Sequence, residues 1–270
     1  MPIAPTAQVH PTALLSPEVE VAEGVRIGPF VVVEGHVQIG RGCVIGPHAH
    51  LCGPMVMGQE NQVFTGAVLG EWPQHLKYRG EPTRLEIGDH NVFREGVTIH
   101  RGTTHSWKTR IGNHNYFMAN SHVAHDCSVG DHCIFANGAV IGGHCQIGNS
   151  VILSGNCAVH QFVRIGRLAL LSGCSVTTKD IPPFMTQQGF DNVVSVNVVG
   201  MRRAGISNDQ IQTIRQAFRI LYRERLVIPV ALARMEKNFA TIDVVAELIQ
   251  FIRQSTRGIN MMHDRRREAA

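Results

Sequence analysis

Stepping along the chain in sixes from Val9 meets an apolar side chain almost every time. The series runs Leu15, Val21, Ile27, Val33, Ile39, Ile45, Leu51, Met57, Val63 and Leu69. The same phase resumes at Ile87, Phe93 and Ile99, then continues from Ile111 through Phe117, Val123, Val129, Phe135, Ile141, Ile147, Leu153, Val159 and Ile165 to Leu171. Only His75, Glu81 and His105 break it. A period of six is neither the 3.6 of an amphipathic helix nor the 2 of a simple strand. It predicts a short strand with one inward side chain, a tight turn, and another short strand. Three such hexads close a triangular coil of about 18 residues, and each coil pairs with the next as a parallel ladder. Glycines that follow inward residues, such as Gly28, Gly40, Gly112 and Gly166, suit the turns. The expected fold is mostly β, a parallel β-helix of hexapeptide repeats.

The interruptions preserve the phase. Residues 70–86 and 105–110 therefore read as loops extruded from the solenoid, and irregular segments on a rigid scaffold are common sites of function. Near residue 180 the pattern changes. Asp180-Ile181-Pro182-Pro183 predicts a break. Ser207 with Gln210 predicts a capping box opening a helix that faces inward through Ile211, Ile214, Phe218 and Leu221. Val244, Val245, Leu248, Ile249 and Ile252 predict another helix, ending near Gly258, and the residues from Met261 onward read as a frayed polar tail. The division is a β-helix over 1–189 and a C-terminal helical domain over 190–270.

Composition narrows the class. Hydrophobic content of 44% against 17% charged residues excludes general disorder. A net charge of +4 admits an anionic ligand but is too mild to indicate nucleic acid. No basic leader precedes an apolar segment, and no apolar run reaches a membrane-spanning length. A soluble cytoplasmic protein without stable membrane insertion is expected. Of the seven cysteines, Cys43, Cys127, Cys133, Cys145 and Cys157 fall four residues after an inward position, where small residues also stand. They are expected to be packed as small hydrophobes, with no disulfide framework.

Most of the fifteen histidines, including His36, His48, His90, His114, His132 and His144, fall in turn slots and read as solvated. The segment from His122 to His160 is denser. Residues one coil apart stack at about 4.8 Å, which places His125, Gly143 and Gln161 in one column and Asp126, His144 and Phe162 in the next. A histidine can act as a general base, and a neighbouring glycine N–H can stabilise an oxyanion, a pairing suited to acyl transfer to a hydroxyl. Counted in coils of 18, His100 falls on a different face from His125, so the two could meet only across a cleft between subunits.

The strings GEPTRLEIGDHNVFREGVTIHRGT (80–103), HVAHDCSVG (122–130), AVHQF (158–162) and STRG (255–258) resemble the UDP-N-acetylglucosamine O-acyltransferases of lipid A synthesis over almost the whole chain. The resemblance implies a left-handed coil, a homotrimer with active sites between subunits, and transfer of a 3-hydroxyacyl chain from acyl carrier protein to the 3-hydroxyl of UDP-N-acetylglucosamine. It implies His125 as general base, Asp126 as its orienting partner and Gly143 as oxyanion donor. His100, His122, His144, His160 and Gln161 resemble substrate-contacting residues. Asn197 and Arg203 resemble nucleotide-side contacts, and Lys77 resembles a lysine reaching the adjacent subunit's cleft. Gly173 falls where a residue limits acyl length. No metal and no organic cofactor is implied.

Two departures stand out. Gln74-His75-Leu76-Lys77-Tyr78 carries His75 where the family has an aspartate that contacts the sugar, and Ala204 follows Arg202-Arg203 where a further arginine is common. A paralogue acting on a different nucleotide sugar is therefore an alternative. A zinc enzyme of the γ-carbonic-anhydrase type, with His100, His122 and His125 as ligands, is another; a non-catalytic scaffold is the third.

Overall fold

The structure is a computed structural model describing residues 3–239 and 241–263. Among the described residues, short strands wind as a solenoid with three faces of eleven, nine and eight strands, parallel except for the last strand of the first face. The first face begins at Gln8–Val9, the second at Leu14–Leu15 and the third at Glu20–Val21, and the chain then returns to the first at Arg26–Ile27. On the second face the inward residue of each hexad is the second residue of a strand. Val33, Leu51, Leu69, Ile99, Val123, Ile141 and Val159 stack in this way on the second face. Each hexad buries only one or two side chains, so the core exists only because coils stack. Phe93, Phe117 and Phe135 are fully buried and stack in one column on the first face, with ring centroids 5.2 and 4.7 Å apart.

The hexad assigns every slot a role. Two residues after the inward position the chain turns, and the third adopts left-handed φ, as at His48, His90, His114, Asp126, His132 and His144. Three of those histidines, His90, His114 and His132, are exposed and stack in parallel at 4.8 and 4.9 Å. The fourth residue is buried. The five cysteines expected there are indeed enclosed, and each Sγ–H points to a backbone carbonyl of the next coil at 3.1–3.2 Å. In the same slot Asn61, Asn91 and Asn115 form a buried ladder, each side-chain oxygen accepting the N–H of the residue above. That ladder satisfies polar groups that would otherwise be costly to enclose.

The two excursions span 72–83, between strands Val68–Glu71 and Arg84–Ile87, and 101–107, between strands Thr98–His100 and Lys108–Ile111. Leu85 and Ile87 are buried, so the edge of the first excursion folds back into the solenoid. The prolines at 182 and 183 do not end the sheet. Ile181 bridges Ile165, and Met185–Gln187 still pairs in parallel with Leu170–Leu171 before Val193–Val196 adds an antiparallel edge.

Among the described residues four helices follow: α1 (Val198–Arg203), α2 (Asn208–Tyr222), α3 (Ile228–Phe239) and α4 (Asp243–Arg253). The capping box at Ser207 and Gln210 opens α2. Helices α1 and α3 had no sequence expectation. The last segment differs from the frayed tail expected from Met261. Ile259 and Met261 bridge Asp180 and Asn192, and the His263 N–H donates to Asn192, while 264–270 lie outside the described residues. No helix among the described residues is long and apolar enough to cross a membrane.

Glycines at the corner between the third and first faces stack backbone against backbone. A Cβ at Gly112 would lie 2.4 Å from Asp131 Oδ1 and 2.7 Å from the Gly130 carbonyl oxygen. One at Gly155 would meet nothing nearer than 3.6 Å. Gly112→Ala is expected to destabilise the protein by about 1–3 kcal/mol, and Gly155→Ala by less than about 0.5 kcal/mol. Urea unfolding of the two variants measures the difference, and equal losses would contradict this packing.

Candidate active site

Both excursions leave at the corner between the second and third faces, on the two coils before Val123. The same corner carries His125–Asp126, then Gly143–His144, then Gln161–Phe162, because strands in this region pair at a spacing of one 18-residue coil. The loops and the dense histidines therefore occupy one edge.

Asp126 holds the left-handed slot, with φ +60°. His125 Nδ1 lies 2.7 Å from Asp126 Oδ2, and both residues are buried. The second excursion wraps the carboxylate. Thr103 donates its N–H at 2.9 Å and its hydroxyl at 2.7 Å, and Ser106 donates its N–H at 3.2 Å and its hydroxyl as well. The Asp126 N–H donates to the buried Thr109 hydroxyl at 2.8 Å. Burial alone would favour the neutral acid. The hydrogen bonds from His125, Ser106 and Thr103 outweigh it and hold the carboxyl well below the usual range. A carboxylate can only accept, so the His125 proton sits on Nδ1 and Nε2 keeps its lone pair.

Gly143 lies one coil above. A Cβ there would stand 2.7 Å from Cε1 and 3.0 Å from Nε2 of His125, so the imidazole occupies the space a side chain would fill. Gly143 is buried, and its N–H meets no acceptor among the described residues. A free lone pair and an unpartnered N–H thus belong to two residues packed directly against each other. His144 stacks on Phe162 at 4.3 Å and meets His125 edge-on at 5.0 Å. Its Nδ1 is 3.8 Å from Asp126 Oδ2 without a hydrogen bond. Burial lowers its affinity for a proton, and Asp126 partly offsets this.

Each excursion contributes one imidazole. His75 packs edge-on against His125 at 5.3 Å, and His105 against His144 at 4.6 Å. Lys77 is exposed and lines a cleft of about 330 Å³ with His75, Tyr78, Thr103, His105 and His144. Gln74 is exposed. A second groove, about 1150 Å³, runs from His105 and His144 along the third face to Arg164, Arg167 and Arg257.

The expectation that His100 lies on a different face, away from His125, fails. His100 lies on the second face with His122, one coil below the His125 turn, and its ring is 4.9 Å from that of His122. Thr98 pairs with His122 across 24 residues, because the second excursion lengthens that coil by one hexad. Counting coils of 18 through it moved His100 to the wrong face. His100 is buried, and burial first, then repulsion from His122 and His125, pushes its imidazole down to about 4. His122 is lowered for the same two reasons, burial and then His125, with its Nδ1 2.7 Å from the Thr98 hydroxyl.

The remaining candidates are scattered. His160 is exposed beside Arg257, whose guanidinium is 3.3 Å from its Nδ1. Gly173 sits exposed at the corner between the first and second faces. Asn197 is buried at the third corner, where it caps α1 and donates to the Leu168 carbonyl, and Arg203 is exposed in the last turn of α1. His100, His122 and His125 do not converge as ligands. Among the described residues, the triads whose donors close within 4.8 Å are His125–Asp126–His144 and Glu34–His50–Cys52. A metal at the former would have to displace the hydrogen bonds already made to Asp126. Thr98, Thr103, Ser106 and Thr109 were not expected from sequence. The hydroxyls of Thr103 and Ser106 in the second excursion were the available signal, but only coil pairing sets them and Thr109 beside Asp126, and Thr98 beside His122.

A family model described as UDP N-acetylglucosamine O-acyltransferase, domain 2, matches residues 180–260, and one described as bacterial transferase hexapeptide matches 6–53 and 108–143. An acyl-[acyl-carrier-protein]–UDP-N-acetylglucosamine O-acyltransferase of Anaeromyxobacter is 49% identical over 93% of this chain and 98% of its own. One from Halorhodospira halophila is 48% identical over the same shares. The structure of the UDP-N-acetylglucosamine O-acyltransferase of Moraxella catarrhalis superposes with a TM-score of 0.84 at 38% identity, covering 96% of this chain and all of that one.

The buried imidazole gives a pH test. The unfolded His100 takes up a proton near pH ~6.5, whereas the folded residue does so only near 4. Stability present above ~6.5 is therefore lost as pH falls through that window. The urea midpoint should drop between pH 7.5 and 5, and His100→Gln should drop less. An unchanged slope in the variant would refute a neutral buried His100.

Proposed function

We propose that this chain, which belongs to the UDP-N-acetylglucosamine O-acyltransferase family, transfers a 3-hydroxyacyl group from acyl carrier protein to the 3-hydroxyl of UDP-N-acetylglucosamine, the first step of lipid A biosynthesis. The observation that carries the assignment of the site is the free Nε2 of the His125–Asp126 dyad beside the unpartnered Gly143 N–H. Nε2 takes the proton of the sugar hydroxyl as its oxygen attacks the thioester carbonyl. The developing oxyanion accepts the Gly143 N–H. As the carbonyl re-forms, the C–S bond breaks, and the imidazolium returns its proton to the departing thiolate. Asp126, held ionised by the second excursion, stabilises that imidazolium.

Gly173 and Asn197 occupy the other two corners of the prism. Acyl and nucleotide contacts there join the His125 corner only when corners of different copies meet, which supports a homotrimer with shared clefts. Gln74, His75 and Lys77 lie at the sugar end, and His100, His122, His144, His160, Gln161 and Arg203 complete the substrate contacts. His75, packed against His125, favours one second reading, a different nucleotide sugar as acceptor; comparing acceptors in one assay decides between them. A carrier-protein donor and a nucleotide-sugar acceptor both accord with the cytoplasm.

His125→Ala is expected to lower kcat by about 10²–10⁴-fold. Gly143→Ala places a methyl against the imidazole and should lower kcat by about 10²-fold, with the fold retained by circular dichroism. Acyl transfer from carrier protein measures both, and near-normal turnover of either variant would remove the assigned mechanism.

A further inference from the structure

Nearer the N-terminus, the second face carries another cluster. Strands Val32–Glu34, His50–Cys52 and Val68–Glu71 pair in succession, so Glu34, His50, Cys52 and Glu71 come from three stacked coils. Glu34 Oε2 lies 3.2 Å from His50 Nε2, which lies 3.3 Å from Cys52 Sγ, itself 3.6 Å from Glu71 Oε2. Bonds of about 2.0–2.3 Å to a tetrahedral zinc ion hold neighbouring donors about 3.3–3.5 Å apart. The Glu34–His50 and His50–Cys52 spacings are close to those edges, and these three donors all lie within 4.8 Å of one another.

We propose that Glu34, His50 and Cys52 bind a zinc-class divalent cation that clips two coils together, with Glu71, outside that three-donor group, drawn in as a fourth donor from the next coil. The other five buried cysteines direct Sγ to backbone carbonyls of the next coil. Cys52 differs from them in facing an imidazole and a carboxylate. Glu71 reaches it through a bulge at Gly70, where φ is +84° and a Cβ would lie 2.2 Å from the Cys52 carbonyl oxygen. The Trp72 N–H, 2.7 Å from Glu71 Oε1, orients that carboxylate and leaves Oε2 toward the sulfur. The Glu34 side chain is 65% exposed, so the open side of the cluster admits an ion from solvent. Thiolate, imidazole and carboxylate together suit zinc better than calcium or magnesium.

Burial first, then Glu71, pushes the Cys52 thiol up to about 12. Metal binding therefore has to replace the S–H bond with an S–metal bond and release the proton to water, so affinity rises with pH. Without an ion, the same four groups form a hydrogen-bonded chain, and solution binding separates the two states.

The experiment is a Co²⁺ titration of the metal-stripped, full-length protein at pH 7.5, followed by Zn²⁺ competition. The expected result is one Co²⁺ per chain with a thiolate-to-cobalt charge-transfer band that Zn²⁺ erases. Cys52→Ala should lose the band. His50→Gln, which leaves the sulfur in place, should bind Co²⁺ more than about 100-fold more weakly, since even partners outside the ligand set contribute 10–100-fold. His125→Ala, which breaks the other three-donor group, should keep the band. Saturation without a thiolate band, or a band that survives Cys52→Ala, overturns the proposal.

Discussion

Vertical register between coils is the constraint on which this molecule depends. Each hexad has one inward residue, and neither its side chain nor its backbone hydrogen bonds are satisfied until the next coil lies on top. Once one strand pair is fixed, every slot above and below is fixed with it. The stacked phenylalanines, the buried asparagine ladder and the close-packed glycines all enforce the same alignment. A shift of one residue would turn the inward side chains outward. Gly143 lies against His125 for this reason and needs no contact of its own to be placed.

That rigidity lets a buried charge persist. Asp126 is enclosed yet ionised because the donors from Thr103, Ser106 and His125 are positioned before any substrate arrives. The excursions thus do two different things. The second builds the environment of the carboxylate, while the first brings His75 and Lys77 over the opening of the site. Both insert whole hexads, so they add chemistry at one corner without disturbing the phase above it.

The C-terminal helices finish the solenoid rather than stand apart from it. Asn197 caps α1 while donating to the last coils, and Ile259 and Met261 return to bridge Asp180 and Asn192. The result is a prism whose three corners differ: one carries the dyad, one Gly173 and one the α1 junction.

The hexapeptide phase by itself determined the coil, the inward residues and the buried cysteine slot, and it also placed the His125–Gly143 column because no hexad leaves the wall between those two residues. The capping box and the apolar faces of α2 and α4 were likewise legible, being local patterns. Helices α1 and α3 were not read. Asn197, which caps α1, also supports the solenoid, and α3 buries only Ala231, Leu232 and Met235. The position of His100 was misread for a definite reason: phase is unchanged by inserted hexads, whereas the face on which a residue lands depends on how many hexads leave the coil. Sequence shows the period but not where the chain departs from the wall and rejoins it. Only the folded pairing of Thr98 with His122 decided that, and with it which hydroxyls hold Asp126 and which imidazoles share its corner.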